Sequence, residues 1–384
     1  MPAWELVDAS ATGPAVVLGS LPPGGRDLDV AAAETSPIAE ALRAAGYVTR
    51  GHGEWARFAA GDVDLVDLLA GWPHLDEILA EAELLPGCRR LARPAPHHAL
   101  LVLAQQLAAT GAYPAKRVPR MEAARGGAQR ARALAAAWGV ADELERVLSG
   151  APVERRPRVR PRRPRVVALS GIDGAGKSTQ ARLLAAALEQ LGYDVEIVWQ
   201  PLGASSALDA VVAPLKRALH LLPSLRPPAA SVDTGLVPNV GTVLRQRSGL
   251  AHRAWTTVIA TANGLAHARA ALAAAAAGRV LVFDRYVLDS RVRLRFLYGD
   301  GRAYRVQDQV VRRLSPRPRA AFVLDVSPAE SLARKDDRWS PGDLERLVRL
   351  YDELDDGDGV HLAGTRAADD LAAEIAQAVW LRLG

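Results

Sequence analysis

From residue 165 onward, short apolar runs alternate with longer stretches in which apolar positions recur at helical spacing. The runs RVVALSG, DVEIVWQ, RVLVFDRY and RAAFVLDV are rich in valine and have the length of strands, and ARLLAAALEQLGY has the spacing of a helix. Strands that alternate with helices favour a parallel sheet with helices on both faces. The pattern therefore predicts an α/β fold over residues 165–384, built as a three-layer α/β/α domain.

The first 150 residues show a different order of elements. Apolar runs predict strands at 15–20 and 28–33 and in the segments WARFAA and VDLVDLL, with a helix in SPIAEALRAAGY. After Asp76 the character turns helical, through DEILAEAELL and HHALLVLAQQLAAT to ELERVLSG. We expect an α+β domain with a helical tail over residues 1–150.

Residues 151–164 are expected to link these two domains. From 154 to 165 the chain reads ERRPRVRPRRPR, so it can bury no apolar face and should be extended and solvated. Seven arginines could bind a nucleic-acid backbone, but no aromatic residue is interleaved with them, and a linker is favoured. A second proline-containing segment, 203–254, shows neither the helical nor the strand spacing of apolar residues, and its role stays open.

Length and residue usage agree with two domains and argue against a thiolate metal cluster. A chain of 384 residues is long for one core. The single cysteine, Cys88, excludes an internal disulfide and a thiolate metal cluster, and fits a reducing compartment. His52, His97 and His98 are expected to be ordinary surface residues.

The same sequence gives no indication of a membrane protein. Its first ten residues lack the basic start and the apolar core of a secretory signal, and the most apolar stretch, 268–283, is interrupted by arginine and glycine. We expect a soluble, cytoplasmic protein with no membrane partner. The net charge of +5 is only weak evidence for a nucleic-acid partner.

The first strand of the second domain runs into a glycine-rich loop, VVALSGIDGAGKST at 166–179. Its glycines let the backbone turn tightly, so that successive N–H groups and the following helix N-terminus point at one anion. Lys177 then reaches the β- and γ-phosphates, and the Ser178 hydroxyl suits Mg²⁺. This P-loop predicts ATP and Mg²⁺ as cofactors. The predicted nucleotide-binding residues of the loop are Gly171, Asp173, Gly174, Ala175, Gly176, Lys177, Ser178 and Thr179.

A polar pair, Asp284 and Arg285, ends the apolar strand in VLVFDRY. Such strand ends face the same crevice as the P-loop in a doubly wound sheet. We predict that Asp284 holds Mg²⁺ together with Ser178, and that Arg285 clamps an acceptor phosphate through two parallel hydrogen bonds. A surface salt bridge is the alternative for an isolated Asp-Arg-Tyr. Asp173 either contacts the acceptor or is a simple turn residue.

Residues from about 165 to the end resemble the thymidylate kinase family of P-loop kinases, on GIDGAGKST, DRY, AFVLDVSPAESLARKDDR and HLAGTRAADDLAAEIAQAV. The resemblance implies phosphoryl transfer from ATP to a nucleoside monophosphate such as thymidylate, and a homodimer. It also implies a lid over ATP with Arg334, Lys335 and Arg338, and a loop beside the adenine with Thr365 and Arg366. The lid cations would offset charge on the transferring group, although a solvated helix end is the alternative.

The chain departs from that family at positions that concern the acceptor. Gln200 stands in the run where the family usually has Arg-Glu-Pro-Gly-Gly, and it cannot act as a base. A phosphate acceptor is therefore favoured over a sugar hydroxyl. The family's acceptor-binding arginine falls on Asn263, with Arg253 and Arg269 as candidate replacements, and VLDSRVRLRFLYGDG replaces the usual Ala-Tyr-Gln run. The reaction class is thus better supported than the base.

In the first domain, a Gly19-Ser20 turn followed by Asp27 and Asp29 resembles the nucleotidyltransferase superfamily. Alternation along a strand places both carboxylates on one face, where they can hold Mg²⁺ beside a triphosphate. Asp64 is the predicted third acid, with Asp67 as its rival. The alternatives are a turn with solvated acids and a degenerate domain that serves regulation or assembly.

The resulting hypothesis is a kinase of the thymidylate kinase type fused to a nucleotidyltransferase-like domain. Its predicted catalytic residues are Lys177, Asp284, Arg285, Arg334 and Arg338. A second hypothesis, favoured by Asn263 and Gln200, is an ATP-binding switch or assembly protein with little turnover. A third makes the first domain the principal enzyme, which adenylylates a small molecule or a protein.

Overall fold

The computed structural model describes residues 1–21, 27–51, 53–59, 61–153, 163–199, 249–298, 304–334 and 339–383. The chain divides into two compact units, Met1–Phe58 with Val63–Arg158, and Ala59–Asp62 with Val159–Gly384. They are called the N-terminal and the C-terminal unit below. Most of the predicted linker, the predicted segment 203–254 up to residue 248, and His52, Gln200, Lys335 and Arg338 lie outside the described residues.

The N-terminal unit contains a mixed seven-stranded sheet in the order β3-β4-β5-β2-β1-β7-β6. Its strands are β1 (Ala15–Val17), β2 (Asp27–Ala32), β3 (Val48–Gly51), β4 (Glu54–Ala59), β5 (Asp62–Ala70), β6 (Glu83–Leu84) and β7 (Leu91–Arg93). β1 is antiparallel to β2 and parallel to β7, and β2 is parallel to β5. The four strands predicted here are confirmed. β3, β6 and β7 were not predicted, because each is too short to show an alternating pattern.

The helices of the N-terminal unit are α1 (Ala3–Ser10), α2 (Ser36–Ala44), α3 (Leu75–Ala80), α4 (Pro96–Thr110), α5 (Val118–Ala124), α6 (Ala128–Ala135) and α7 (Ala141–Leu148). α4 is the centre of the predicted helical tail. Leu100, Leu101, Val102, Leu103 and Ala104 are all buried, so this helix is apolar on every side. A helix of that kind is stable only when neighbours surround it, and α5, α6 and α7 pack against it.

The C-terminal unit contains a five-stranded, all-parallel sheet in the order β12-β11-β8-β10-β9. Its strands are β8 (Arg165–Ser170), β9 (Val195–Trp199), β10 (Val280–Asp284), β11 (Ala320–Asp325) and β12 (Val360–Ala363). The four predicted strands are confirmed, and β12 is an additional edge strand. β8 lies in the middle, with connections leaving to both sides, so a crevice forms at its carboxyl end.

The helices described in the C-terminal unit are α8 (Lys177–Gln190), α9 (Gly249–Ala277), α10 (Val287–Tyr298), α11 (Arg305–Leu314), α12 (Pro328–Arg334), α13 (Pro341–Leu354) and α14 (Ala368–Leu383). α13 begins with a capping box, in which Ser340 and Asp343 satisfy each other's backbone N–H groups. None of the helices in the described ranges combines the length and the apolar character needed to cross a bilayer.

Candidate active site

The glycine-rich loop connects the central strand β8 to α8, as expected. Gly171 has φ +139°, and a Cβ there would lie 2.5 Å from the Leu324 carbonyl oxygen, so only glycine fits. Gly176, with φ +92°, is the residue before the first turn of α8. The loop therefore presents its backbone and the positive end of the helix dipole to the crevice at the end of β8.

Lys177 is folded over this loop. Its Nζ donates hydrogen bonds to the carbonyl oxygens of Gly171 (2.8 Å) and Ile172 (2.7 Å), and the side chain is buried. Burial, followed by the positive charge of Arg285, lowers the pKa of Lys177 to about 8. A bound triphosphate would reverse this effect, because its negative charge favours the ammonium form. The residue is thus placed to respond strongly to a phosphate ligand.

Ser178, in the first turn of α8, contacts Asp284 at the carboxyl end of β10. The Ser178 hydroxyl donates a hydrogen bond of 2.5 Å to Asp284 Oδ2. Asp284 Oδ1 is buried and has no hydrogen-bond partner among the described residues, which is costly for a carboxylate. A hydroxyl and a carboxylate are hard oxygen ligands of the kind that Mg²⁺ prefers. The pair therefore fits Mg²⁺, and the unpartnered Oδ1 is the atom that such an ion would satisfy.

Arg285 follows directly and has a left-handed backbone, with φ +81°. Such a conformation is costly for a residue with a Cβ and marks sites where geometry is imposed for function. Its guanidinium forms an ion pair with Asp173 and lies 3.7 Å from Asp289. The positive charge predicted for the end of β10 is thus directed at the P-loop, between two carboxylates.

Asp289 was not singled out from the sequence, although it stands four residues after Arg285. It is buried, accepts a hydrogen bond from the Tyr286 backbone N–H at 3.0 Å, and has the Tyr351 hydroxyl 2.6 Å from Oδ1. That hydroxyl also lies 2.9 Å from the Gly171 carbonyl oxygen. Asp289 and Tyr351 therefore join the start of the P-loop to the residues that hold Arg285.

Arg293 and Trp339 form a second group that sequence reasoning missed. The Arg293 guanidinium carbon lies 5.0 Å from the centre of the Trp339 ring, and Trp339 Nε1 donates a hydrogen bond of 2.9 Å to Asp173. Burial, followed by the charge of Arg285, lowers the pKa of Arg293. Among the described residues Arg293 has no ion-pair or hydrogen-bond partner. Two arginines and an aromatic ring thus surround the Asp173 carboxylate.

The predicted lid and adenine loop lie beside the P-loop as far as they are described. Arg334 donates hydrogen bonds to the carbonyl oxygens of Gly364 (2.9 Å) and Gly174 (3.4 Å). A Cβ on Gly364 would lie 3.2 Å from the Ala175 carbonyl oxygen, so the two loops approach closely. Thr365 and Arg366 follow in exposed positions, and Arg366 is paired with Glu374 at 2.6 Å.

Position 263 carries no positive charge, and the two arginines predicted to replace it are exposed. Asn263 is buried, and its Nδ2 donates a hydrogen bond of 2.6 Å to the Ser290 hydroxyl. Arg253 and Arg269, on the same helix, are both exposed. The Asn263 amide therefore links α9 to α10 through a buried hydrogen bond.

In the N-terminal unit, the third acid beside Asp29 is Asp67 rather than Asp64. β2 and β5 pair in parallel with Asp29 opposite Asp67, so the two residues are neighbours on the same face of the sheet. Asp64 is instead bonded to Arg57 at 2.5 Å and to Tyr47 at 3.4 Å. Asp64 stands three residues before Asp67 on β5, and successive side chains on a strand point to opposite faces. Asp64 therefore lies on the face away from Asp29, and its prediction as the third acid was wrong.

This N-terminal carboxylate cluster, Asp27, Asp29 and Asp67, is crowded with negative charge. Burial, followed by the charge of Asp29, raises the pKa of Asp67 to about 6. The pKa of Asp29 is raised by burial and then by Asp27, against the opposing charge of Arg120. A Cβ on Gly19 would lie 2.5 Å from Asp29 Oδ2, so a side chain at position 19 would displace the Asp29 carboxylate. The cluster has the arrangement of oxygen ligands that can hold a divalent cation.

His97 and His98 are not surface residues, contrary to expectation. They are 5% and 2% exposed, respectively, in the first turn of α4. Trp138 lies against His98, with ring centres 5.6 Å apart. Adjacent histidines before a long apolar run can be buried because the helix that follows is enclosed, which local sequence does not reveal.

Comparison with known proteins supports a kinase-like region. No model of a known protein family matches the chain. Proteins named "Probable thymidylate kinase" from Pyrococcus abyssi and Pyrococcus horikoshii are 28% and 29% identical over 184 residues, which is 48% of this chain and 76% of each relative. One from Thermococcus gammatolerans is 27% identical over 185 residues, with the same coverage. The kinase-like similarity thus extends over about half of the chain.

Proposed function

We propose that the C-terminal unit transfers the γ-phosphoryl group of ATP to a nucleoside monophosphate. The observation that carries this proposal is the contact of Ser178 with Asp284, which joins a P-loop to the end of the neighbouring strand and leaves one carboxylate oxygen for a cation. Arg285 is directed into the same crevice. The similarity to proteins named as probable thymidylate kinases supports the same reaction class.

In this proposal the loop 171–178 and Lys177 bind the ATP phosphates, and Ser178 and Asp284 hold Mg²⁺. The ion would supply positive charge beside the β- and γ-phosphates, which lowers the barrier to phosphoryl transfer. Lys177 leaves its two loop carbonyls for the phosphate, and its ammonium then stabilises negative charge in a poorly solvated site. Arg334, already beside Gly174, contributes to closure over the transferring group and to exclusion of water.

The acceptor phosphate would bind between Arg285 and Arg293. A phosphate monoester is already anionic, so its oxygen needs positioning rather than a base. The Asp173 carboxylate now pairs with Arg285 and would give way to the incoming phosphate, which is the stronger bidentate partner. Trp339 offers a flat face beside this position for a nucleoside.

The test is ADP release by the full chain with ATP and Mg²⁺ across a panel of nucleoside monophosphates and nucleosides. Release that requires a monophosphate, and that is lost in Lys177→Ala but kept in the exposed Lys116→Ala control, supports the proposal. ATP binding with silence across the panel would favour the switch or assembly protein.

The N-terminal carboxylate cluster supports a second candidate function, nucleotidyl transfer. The observation that favours it is the pairing of Asp29 with Asp67 on adjacent strands, beside Asp27. Two or three carboxylates on one face can hold Mg²⁺ against a triphosphate. The test is transfer of label from α-labelled ATP to small molecules and to proteins. Loss of transfer in Asp29→Asn but not in Asp64→Asn supports this function, and absence of transfer over a broad acceptor set contradicts it.

A further inference from the structure

A second cluster of potential ligands lies in the N-terminal unit, at the end of α3 and the start of α4. Glu81 follows the last turn of α3, and His97 and His98 lie in the first turn of α4. Each of these residues offers one ligand atom, and the three atoms lie within 4.8 Å of one another. None of them belongs to the carboxylate cluster or to the P-loop.

The two imidazoles have nitrogen atoms that nothing in the described chain satisfies. His97 Nε2 and His98 Nδ1 are both buried and have no hydrogen-bond partner among the described residues. A buried polar atom without a partner typically costs about 1–3 kcal/mol, so two in adjacent residues need an explanation.

Glu81 supplies a charged oxygen to this pair of nitrogens. Its Oε2 lies 3.6 Å from His97 Nε2, while Oε1 is held by Arg130 at 2.5 Å. The arginine therefore orients the carboxylate and leaves the second oxygen facing the histidine, as outer partners of metal ligands commonly do. Glu81 is more exposed than the histidines, which provides access from solvent.

We propose that Glu81, His97 and His98 bind a divalent transition-metal cation, with Zn²⁺ as the preferred ion and water completing its coordination. Two imidazole nitrogens and one carboxylate oxygen are a ligand set that Zn²⁺ accepts at about 2.0–2.2 Å. Ligand atoms around a tetrahedral ion are about 3.3 Å apart, so small side-chain rotations bring these three into range. The ion would join α3 to α4.

Metal binding by the full chain tests this proposal. The protein is stripped with a chelator and titrated with Co²⁺, and then with Zn²⁺ in competition, in excess Mg²⁺ so that oxygen-only sites are filled. We expect one equivalent to bind with the intense visible absorption of a tetrahedral Co²⁺ site with nitrogen ligands, and Zn²⁺ to displace it. Absence of that spectrum in the wild-type protein would overturn the proposal.

Three variants locate the ion. His98→Gln should weaken Zn²⁺ binding at least about 100-fold and Glu81→Gln about 10-fold, since each removes one ligand. His74→Gln is the matched control, because His74 stacks on the same Trp138 with ring centres 4.3 Å apart and is not a ligand. Unchanged affinity in both ligand variants, or equal loss in the control, would overturn the assignment. If His98→Gln fails to fold, the half-exposed Glu81→Gln decides the matter alone.

Discussion

Each of the two units brings carboxylates together, but the negative charge of these carboxylates is balanced differently in the two units. In the N-terminal cluster, Asp29 and Asp67 face each other, and the pKa of Asp67 rises to about 6. In the C-terminal site, the carboxylates have donors: Asp173 has Arg285 and Trp339, Asp284 has Ser178, and Asp289 has Tyr351 and a backbone N–H.

The difference shows which carboxylates need a cation and which hold other groups in place. The repulsion between like charges on adjacent strands is reduced by a bound proton or metal ion, so we expect such a ligand to stabilise the N-terminal cluster. Asp289 is instead a fixed support for Arg285 and the P-loop. Asp284 combines both roles, since one oxygen has Ser178 and the other has no partner in the described part of the chain.

The largest expected effect separates the two clusters by activity. Asp284→Asn should lower kcat for phosphoryl transfer about 10³-fold, roughly 4 kcal/mol, because the amide cannot offer the second anionic oxygen to Mg²⁺. Asp67→Asn should leave kcat within about twofold, since the proposed reaction uses only the C-terminal unit. Initial rates over a range of Mg²⁺ concentrations provide the measurement. Equal losses in the two variants would break the distinction.

The next contrast concerns stability at neutral pH in the presence of a chelator. Asp289→Ala should lower the free energy of unfolding by about 2–4 kcal/mol, because it deprives Tyr351, the Tyr286 N–H and Arg285 of a buried partner. Asp67→Asn should leave it unchanged or raise it by less than about 1 kcal/mol, since it removes a partly screened repulsion. Denaturant unfolding followed by circular dichroism measures both. A strong loss in Asp67→Asn would show that its carboxylate is not repelled.

The two units should also respond to pH with opposite sign. Burial lowers the pKa of His267 in the C-terminal unit to about 4 from 6.5. The unfolded chain therefore binds the proton first as pH falls through this range, and up to about 3 kcal/mol of stability is lost. For Asp67 the folded pKa is raised from 3.8 to about 6, so stability is present at low pH and is lost as pH rises through 4–6. After allowance for solvent screening this amounts to about 1 kcal/mol.

For each residue, the difference in the free energy of unfolding between wild type and variant is measured across pH 4–7. The slope of this difference against pH reports the titration of that residue. His267→Asn keeps a polar amide beside the Ser315 hydroxyl, which lies 2.9 Å from His267 Nδ1, and removes the titrating ring. Asp67→Asn, in chelator, removes the other titration. Slopes of the same sign for both variants would contradict the pKa directions.

The smaller of the two expected effects on activity tests the acceptor position. Arg293→Ala should raise the KM for the acceptor about 10- to 30-fold while leaving the KM for ATP within about twofold, because one phosphate contact is lost. Arg269→Ala, which removes an exposed arginine from α9, is the control and should change neither constant. Steady-state kinetics with each substrate varied in turn makes this measurement. An effect on ATP instead would place Arg293 on the nucleotide donor.

The sequence was most informative where a short segment carries both an element and its chemistry. The P-loop, the alternation of strands and helices in the C-terminal unit and the Asp284-Arg285 pair follow from contiguous residues. Asp289, Arg293, Tyr351 and Trp339 could not be found this way, because they join the site from separate helices through tertiary packing.

Two errors have related causes. Asp64 was preferred to Asp67 because both stand in one apolar run, and only the pairing of β5 with β2 decides which carboxylate faces Asp29. His97 and His98 were expected at the surface because burial of a helix start depends on the helices that enclose it. In each case the local pattern identifies the strand or helix. The pairing of strands and the packing of neighbouring helices then decide which way a side chain faces and whether it is buried.

The most direct test of the central claim is transfer of the γ-phosphate label of ATP to thymidylate and to the other nucleoside monophosphates by three forms of the full chain. The wild type and Asp67→Asn should both form a labelled nucleoside diphosphate, and Lys177→Ala should form none. Label transfer that survives Lys177→Ala, or that is lost in Asp67→Asn, would contradict a kinase site in the C-terminal unit.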